Sequence, residues 1–270
     1  MEAWQPYSVA TRNVSINSEN KIHDDSVARR YGFSGGLVPG TTVYAHMTRP
    51  LVARWGLDWL ERNTGELVLL KPAYDGEQLL VTVGDAPAAA GPRAVTVRIA
   101  NGQQQELARL VTAPAPQPPP PEAQWQRPPA APGERTPISW DAVRVGVPLR
   151  GFLWQPGPAD QQFWCDGVRD DLPVYRTGPG APVHPGLVLQ AANQVLSRHY
   201  VLQPWIHAGS RIVTRAALRV GQPIEMRGIP LEKWERKGHQ FFTVYVTMLQ
   251  GGQPAVEVWH TAIFAVRPAQ

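Results

Sequence analysis

Hydrophobic and polar positions run through the same order twice along this chain. Pro39-Gly40 opens one apolar stretch and Pro185-Gly186 opens another, and the segment 187–196 (LVLQAANQVL) is apolar nearly all round a helical wheel. In a globular protein such a helix is buried on most of its faces. Gly76 follows Gly40 by 36 residues inside segment 66–81 (ELVLLKPAYDGEQLLV), and Gly221 follows Gly186 by 35 residues inside 211–226 (RIVTRAALRVGQPIEM). Each half then continues into period-two alternation around a turn. Val95, Val97 and Ile99 precede Asn101-Gly102, and Phe242, Val244, Val246 and Met248 precede Gly251-Gly252, the signature of antiparallel strands joined at hairpins. The simplest account is an internal repeat of about 145 residues. The architecture predicted is α+β, a tandem pair in which an antiparallel sheet wraps round a central helix in each half.

Between the halves lies a stretch of different character. Ten of the 25 residues from Ala113 to Pro137 are proline, including Pro118 to Pro121, which removes backbone donors and favours an extended linker. The domains predicted are residues 1–112, a linker over 113–137, and residues 138–270.

Composition narrows the function classes. With 26 Lys and Arg against 22 Asp and Glu the net charge is +4, and the basic residues are scattered, so no basic stripe of the nucleic-acid-binding kind is present. No apolar run reaches the roughly 18 residues of a spanning helix, and residues 1–8 lack a signal-peptide pattern, so the expectation is a cytoplasmic protein without membrane association. Cys165 is the only cysteine, which rules out an intramolecular disulfide and marks it as a buried structural thiol. The seven histidines show no metal-ligand spacing, so neither a metal nor another cofactor is expected.

Segment 18–40 (SENKIHDDSVARRYGFSGGLVPG) resembles the signature of the MaoC-like, or (R)-specific, enoyl-CoA hydratases and 3-hydroxyacyl dehydratases. Asn20, Ile22, His23, Asp24 or Asp25, Ala28, Gly32, Phe33 and Gly40 match it. The resemblance implies a hotdog fold, here as a double hotdog, and a substrate that is an acyl thioester of coenzyme A or of an acyl carrier protein. Several positions depart from the pattern. The family's catalytic Asp falls at Ser18, its Pro at Lys21 and its second His at Pro39, and the spacing from His23 to Ala28 is one residue short. In the second half, Asp170 to Tyr175 looks like a decayed copy with Tyr175 in the place of His23, so the second half is expected to be non-catalytic.

Hydration of an enoyl thioester needs a base for the water, a proton donor for the α-carbon, and donors for the enolate oxygen. His23 is the residue of the motif that titrates near neutrality, and is the base expected. The amides of Gly40 and Thr41 at a helix N-terminus are the expected oxyanion donors, with Ser18 or Asn20 orienting the water. Asp24, Asp25 and Asp170 are the alternative acids, Asp24 and Asp25 standing also as candidate N-cap and first-turn residues. The reading is a hydratase/dehydratase interconverting trans-2-enoyl and 3-hydroxyacyl thioesters. Its alternatives are a catalytically degenerate double hotdog that binds an acyl thioester or apolar ligand, and a hotdog thioesterase. Whether two chains form a homodimer is left open.

Overall fold

The structure, a computed structural model, describes residues 3–115, 117–118 and 133–268. Most of the proline-rich stretch lies outside the described residues. In the first half, β1 (Tyr7–Ala10), α1 (Asp25–Arg30), α2 (Gly40–Trp55) and α3 (Leu57–Glu61) precede β2 (Asn63–Leu69), β3 (Gln78–Asp85), β4 (Val95–Asn101) and β5 (Glu106–Pro114). After β6 (Thr136–Pro137), the second half runs β7 (Phe152–Trp154), α4 (Pro158–Gly167), α5 (Pro185–Ser197), β8 (Tyr200–Val201), β9 (Ile206–Thr214), β10 (Ile224–Arg236), β11 (His239–Gln250) and β12 (Gln253–Ala265). Pairing of β5 with β2 continues to Pro114, and Thr136-Pro137 pairs with Tyr200-Val201, so ordered pairing enters both ends of the stretch read as linker.

Ten strands form one sheet in the order β1-β3-β4-β5-β2-β9-β12-β11-β10-β7. The halves meet at β2 and β9, antiparallel, with Glu66 opposite Arg211. Those two residues are 145 positions apart, as are the bridge residues Leu37 and Pro182, Tyr74 and Arg219, the helix starts Gly40 and Pro185, and the left-handed glycines Gly76 and Gly221. The repeat therefore has a register of 145, and a pseudo-two-fold axis passes between Glu66 and Arg211. This corrects the match of Pro39-Gly40 to Pro185-Gly186. The helix caps set the register, so Pro39 corresponds to His184 and Gly40 to Pro185.

The sheet wraps the two central helices, which lie antiparallel against each other: Thr41 Oγ1 donates to Gln190 Oε1 at 2.9 Å, and Gly186 lies against Ala45. A Cβ at Gly186 would come within 2.7 Å of Ala45 Cβ and 3.0 Å of the Thr41 carbonyl. The core filling the two layers includes Met47, Leu51, Val97, Leu110, Leu189, Val195, Phe242 and Val258, all nearly inaccessible. Cys165 is buried in it, where burial pushes the thiol up to about 12, a setting for packing rather than for reactivity.

One irregularity in the sheet brings three polar side chains together. In the β9–β12 ladder Thr261 opposes Gly209 and Ala262 opposes His207, leaving Ala208 as the extra residue of a bulge. Residues 207 and 210 would otherwise point to opposite faces of the sheet; the bulge turns both inward, so that His207 Nε2 lies 2.9 Å from Ser210 Oγ. Ser210 Oγ in turn meets His260 Nδ1 at 3.2 Å, and the two imidazoles stack at 4.2 Å.

The close helix contact and the buried imidazoles each lead to a measurable effect on stability. Gly186→Ala inserts a methyl group where the helices touch and is expected to lower stability by roughly 1–3 kcal/mol, read as a lower urea midpoint with unchanged slope; an unaltered midpoint would contradict the close approach. Burial holds His46 and His207 down at about 4 and His260 well below the ordinary histidine value. The unfolded chain binds these protons below pH 6.5, while the folded chain refuses those of His46 and His207 until about pH 4 and resists that of His260 as well, so the stability present above pH 6.5 is lost as pH falls through that window. Each group removes roughly 1.4 kcal/mol per pH unit there. Chemical denaturation at pH 7 and pH 4.5 checks this, and equal midpoints would contradict it.

Candidate active site

The apolar residues of the motif build a small core of their own. Ile22, Ala28 and Leu37 are buried together, with Phe33 and Ile206 packed on them. This cluster anchors the loop that carries His23 through its short 3-10 turn Lys21–His23, which Asn20 caps by accepting from Ile22 N–H. Gly36 is pressed so closely on the loop that a Cβ there would fall 2.2 Å from the His23 carbonyl oxygen. Asn20 fastens the loop to the second half: its Oδ1 accepts from Trp205 N–H at 3.1 Å and its Nδ2 donates to the Trp205 carbonyl at 2.9 Å.

His23 is thereby held in one tautomer. Nδ1 lies 2.6 Å from the Leu37 carbonyl, which can only accept, so Nδ1 carries the proton. Nε2 keeps its lone pair, with Asn20 Nδ2 3.4 Å away. Burial lowers the imidazole's pKa, opposed in part by the bond to Leu37. A neutral ring with an unprotonated Nε2 is the form a general base requires.

The residue lines a cavity of about 330 Å³ that also reaches Ser18, Asn20, Gly40, Leu69, Lys71, Asn193 and His207. Gly40 and Thr41 form the first turn of α2, where the amides have no intrahelical carbonyl to bond. A side chain at Gly40 would collide with Leu69 Cδ1 at 2.4 Å and approach His207 Nδ1 at 2.9 Å, so glycine is what allows these groups to close on the helix terminus. His207 Nε2 is committed to the Gly209 carbonyl at 3.1 Å and to Ser210. Its Nδ1, buried, has no hydrogen-bond partner.

The other expected residues take structural places. Ser18 lines the cavity and bonds the Asn20 carbonyl at 3.3 Å. Asp24 caps α1 through Val27 N–H, and Asp25 accepts from Gly36 N–H at 2.7 Å and pairs with Arg29. Asp170 lies with His184 at 3.2 Å. None of the three alternative acids lines the cavity, because each is drawn to a donor elsewhere; Asp170 and His23 do not form a composite pair. The carboxylate that does line it, Glu19, is held by Arg135 at 2.7 Å.

His184 is the residue that the repeat register reveals, sitting where the first half has Pro39. It is fully buried, its Nδ1 accepting from Gly186 N–H at 3.0 Å and its Nε2 facing Asp170. Both ring nitrogens are satisfied, so the pair caps α5. The space related to the first cavity by the repeat, bounded by Asn63, Val183, Pro185, Val188, Thr214 and Leu218, amounts to about 30 Å³.

The second half nevertheless supplies a wall of the open cavity. Gln190, Asn193, Gln194 and Ser197 of α5 all line it, and their spacing of i, i+3, i+4 and i+7 makes one stripe on a helix otherwise apolar. The spacing is visible in the sequence, but the strong apolar character of the whole segment masks it. His207 has no comparable signal, since a bulge cannot be read from alternation.

No protein-family model matches the chain, and no curated protein matches it. Among solved structures, a protein assigned as a MaoC domain dehydratase from Chloroflexus aurantiacus is similar over 99% of this chain and 96% of its own, with a TM-score of 0.69 and 12% identity. A conserved double-hotdog protein from Mycobacterium tuberculosis aligns over 97% of this chain and 96% of its own, with a TM-score of 0.62 and 10% identity. A protein described as an oleoyl thioesterase from Lactobacillus plantarum aligns over 98% and 96%, with a TM-score of 0.52 and 11% identity. At these identities the likeness is one of fold, and the fold of this chain is the double hotdog that MaoC-like dehydratases share.

Proposed function

We propose that the protein is a hydro-lyase interconverting trans-2-enoyl and 3-hydroxyacyl thioesters, with the thioester carried by coenzyme A or an acyl carrier protein. The observation that carries this reading is His23: a neutral imidazole whose Nδ1 is locked on the Leu37 carbonyl and whose Nε2 is free to take a proton, in the cavity that ends at the α2 N-terminus.

In the hydration direction, Nε2 removes a proton from water as the oxygen bonds to the β-carbon. The π electrons of the double bond move through the α-carbon to the thioester oxygen, and the amides of Gly40 and Thr41 hold the resulting enolate. Their orphan donors and the positive end of the helix dipole act where that charge develops. The proton on Nε2 then passes to the α-carbon, restoring neutral His23. One base thus serves both transfers, which suits a motif with Ser18 in place of a carboxylate. Ser18 keeps the capacity to orient the water through its hydroxyl. Hydrolysis of the thioester would call on a carboxylate, and Glu19 is engaged by Arg135.

With crotonyl-CoA, the wild-type protein is expected to bleach the conjugated thioester absorbance, and His23→Ala to lower kcat/KM by about 10²- to 10⁴-fold with its thermal melt retained. Absence of turnover with crotonyl-CoA and with a longer enoyl-CoA would overturn the hydro-lyase reading, and binding of the ester without turnover would favour a ligand-binding protein. Because burial lowers the pKa of His23, kcat/KM is expected to be level above pH 6.5 and to fall only at lower pH, as the imidazole takes up its proton. A profile that rises steeply between pH 7 and 9 would contradict His23 as the base.

A further inference from the structure

The cavity has two unlike walls. Ile22, Phe33, Leu37, Val43, Leu69 and Ile206 make one of them apolar. The other is the stripe of α5, made of three carboxamides and a hydroxyl, none of them charged, running about 10 Å along the helix at 1.5 Å per residue. It starts beside the first turn of α2, where Gln190 accepts from Thr41, and ends at Ser197, whose carbonyl accepts from Arg135, the partner of Glu19. Asn193, in the middle, has a buried Oδ1 with no hydrogen-bond partner.

Polar side chains on a wall of this kind are costly to cover with hydrocarbon. A saturated alkyl chain laid on the stripe would displace water from its accessible carboxamide and hydroxyl groups and give no hydrogen bond in return. The repeat-related space, which Asn63 and Thr214 line among mainly apolar residues, is by contrast closed to about 30 Å³. A volume of about 330 Å³ is at the small end for ligand sites, which run from about 300 to 1,000 Å³.

We propose that the α5 stripe selects acyl thioesters whose chain beyond C3 carries a neutral oxygen function, a hydroxyl above all, with the carboxamides of Asn193 and Gln194 and the Ser197 hydroxyl as its hydrogen-bond partners. The chain's carbon skeleton lies on the apolar face, and its hydroxyl faces α5. Plain alkanoyl thioesters are the poorer ligands. This rests on the acyl-thioester reading of the cavity and specifies the class of acyl group it takes.

The test uses saturated esters lacking a 3-hydroxyl, which neither hydrate nor dehydrate. Hexanoyl-CoA and its 4-, 5- and 6-hydroxy derivatives are titrated into the full-length protein by calorimetry. At least one hydroxy ester is expected to bind about tenfold more tightly than hexanoyl-CoA. In Asn193→Leu and in Gln194→Leu, each checked for an unchanged melt, that preference is expected to shrink to within twofold while hexanoyl-CoA tightens. Ser197→Ala, a smaller change on the same stripe, serves if a leucine variant does not fold, and is expected to lower the preference at least twofold. Hexanoyl-CoA binding as tightly as every hydroxy ester, or a preference that survives all the variants, would overturn the proposal and leave the thioester reading standing. If no ester binds, both fall together.

Discussion

The antiparallel seating of α2 on α5 is the contact on which the rest of the molecule depends. It requires Gly186, which has no Cβ to hold the helices apart from Thr41 and Ala45. Once the helices lie at this distance, β2 and β9 can pair and close ten strands into one sheet. The N-terminal turn of α2 is then brought beside the middle of α5, at Gln190. The open cavity forms at that junction, with His23 and the helix terminus from one half and the polar stripe of α5 from the other.

Two copies of one unit have diverged in opposite directions. In the first, the position preceding the helix is Pro39, and the space in front of the helix stays open with His23 beside it. In the second the same position is His184, whose two nitrogens are used up by Gly186 and Asp170, and the corresponding space is filled by Val183, Val188 and Leu218. An Asp and a His adjacent in space are therefore not sufficient for a site. Access to the cavity matters more, and His23 has it where the fully buried His184 does not.

Much of the fold is legible in the sequence because burial leaves a periodic trace. The alternation at 95–99 and 242–248, the Asn101-Gly102 and Gly251-Gly252 turns, and the two Pro-Gly helix starts all correspond to elements found in the structure. The repeat register is harder to read, because the Pro-Gly dipeptides match one residue out of step with the helix caps and bridges that align the halves, and this offset hides His184. The site is legible only where local sequence determines local geometry, as with His23 and Gly40. Asn193 belongs to a polar stripe masked by its apolar neighbours, and His207 to a bulge that breaks the alternation on which a strand is recognised. The roles of Asp24, Asp25 and Asp170 turn on which donors surround them, a matter of tertiary structure.

The central claim is that His23, as the Nδ1–H tautomer, faces the ligand in a cavity shared by both halves. The most direct measurement is nitrogen-15 NMR of the histidine side chains, free and with added 3-hydroxybutyryl-CoA. The account predicts a protonated Nδ1 and an unprotonated Nε2 for His23 at pH 7, with ligand shifting its Nε2 resonance and leaving His184 unchanged. A His23 protonated on Nε2, or a ligand that perturbs His184 and spares His23, would contradict it.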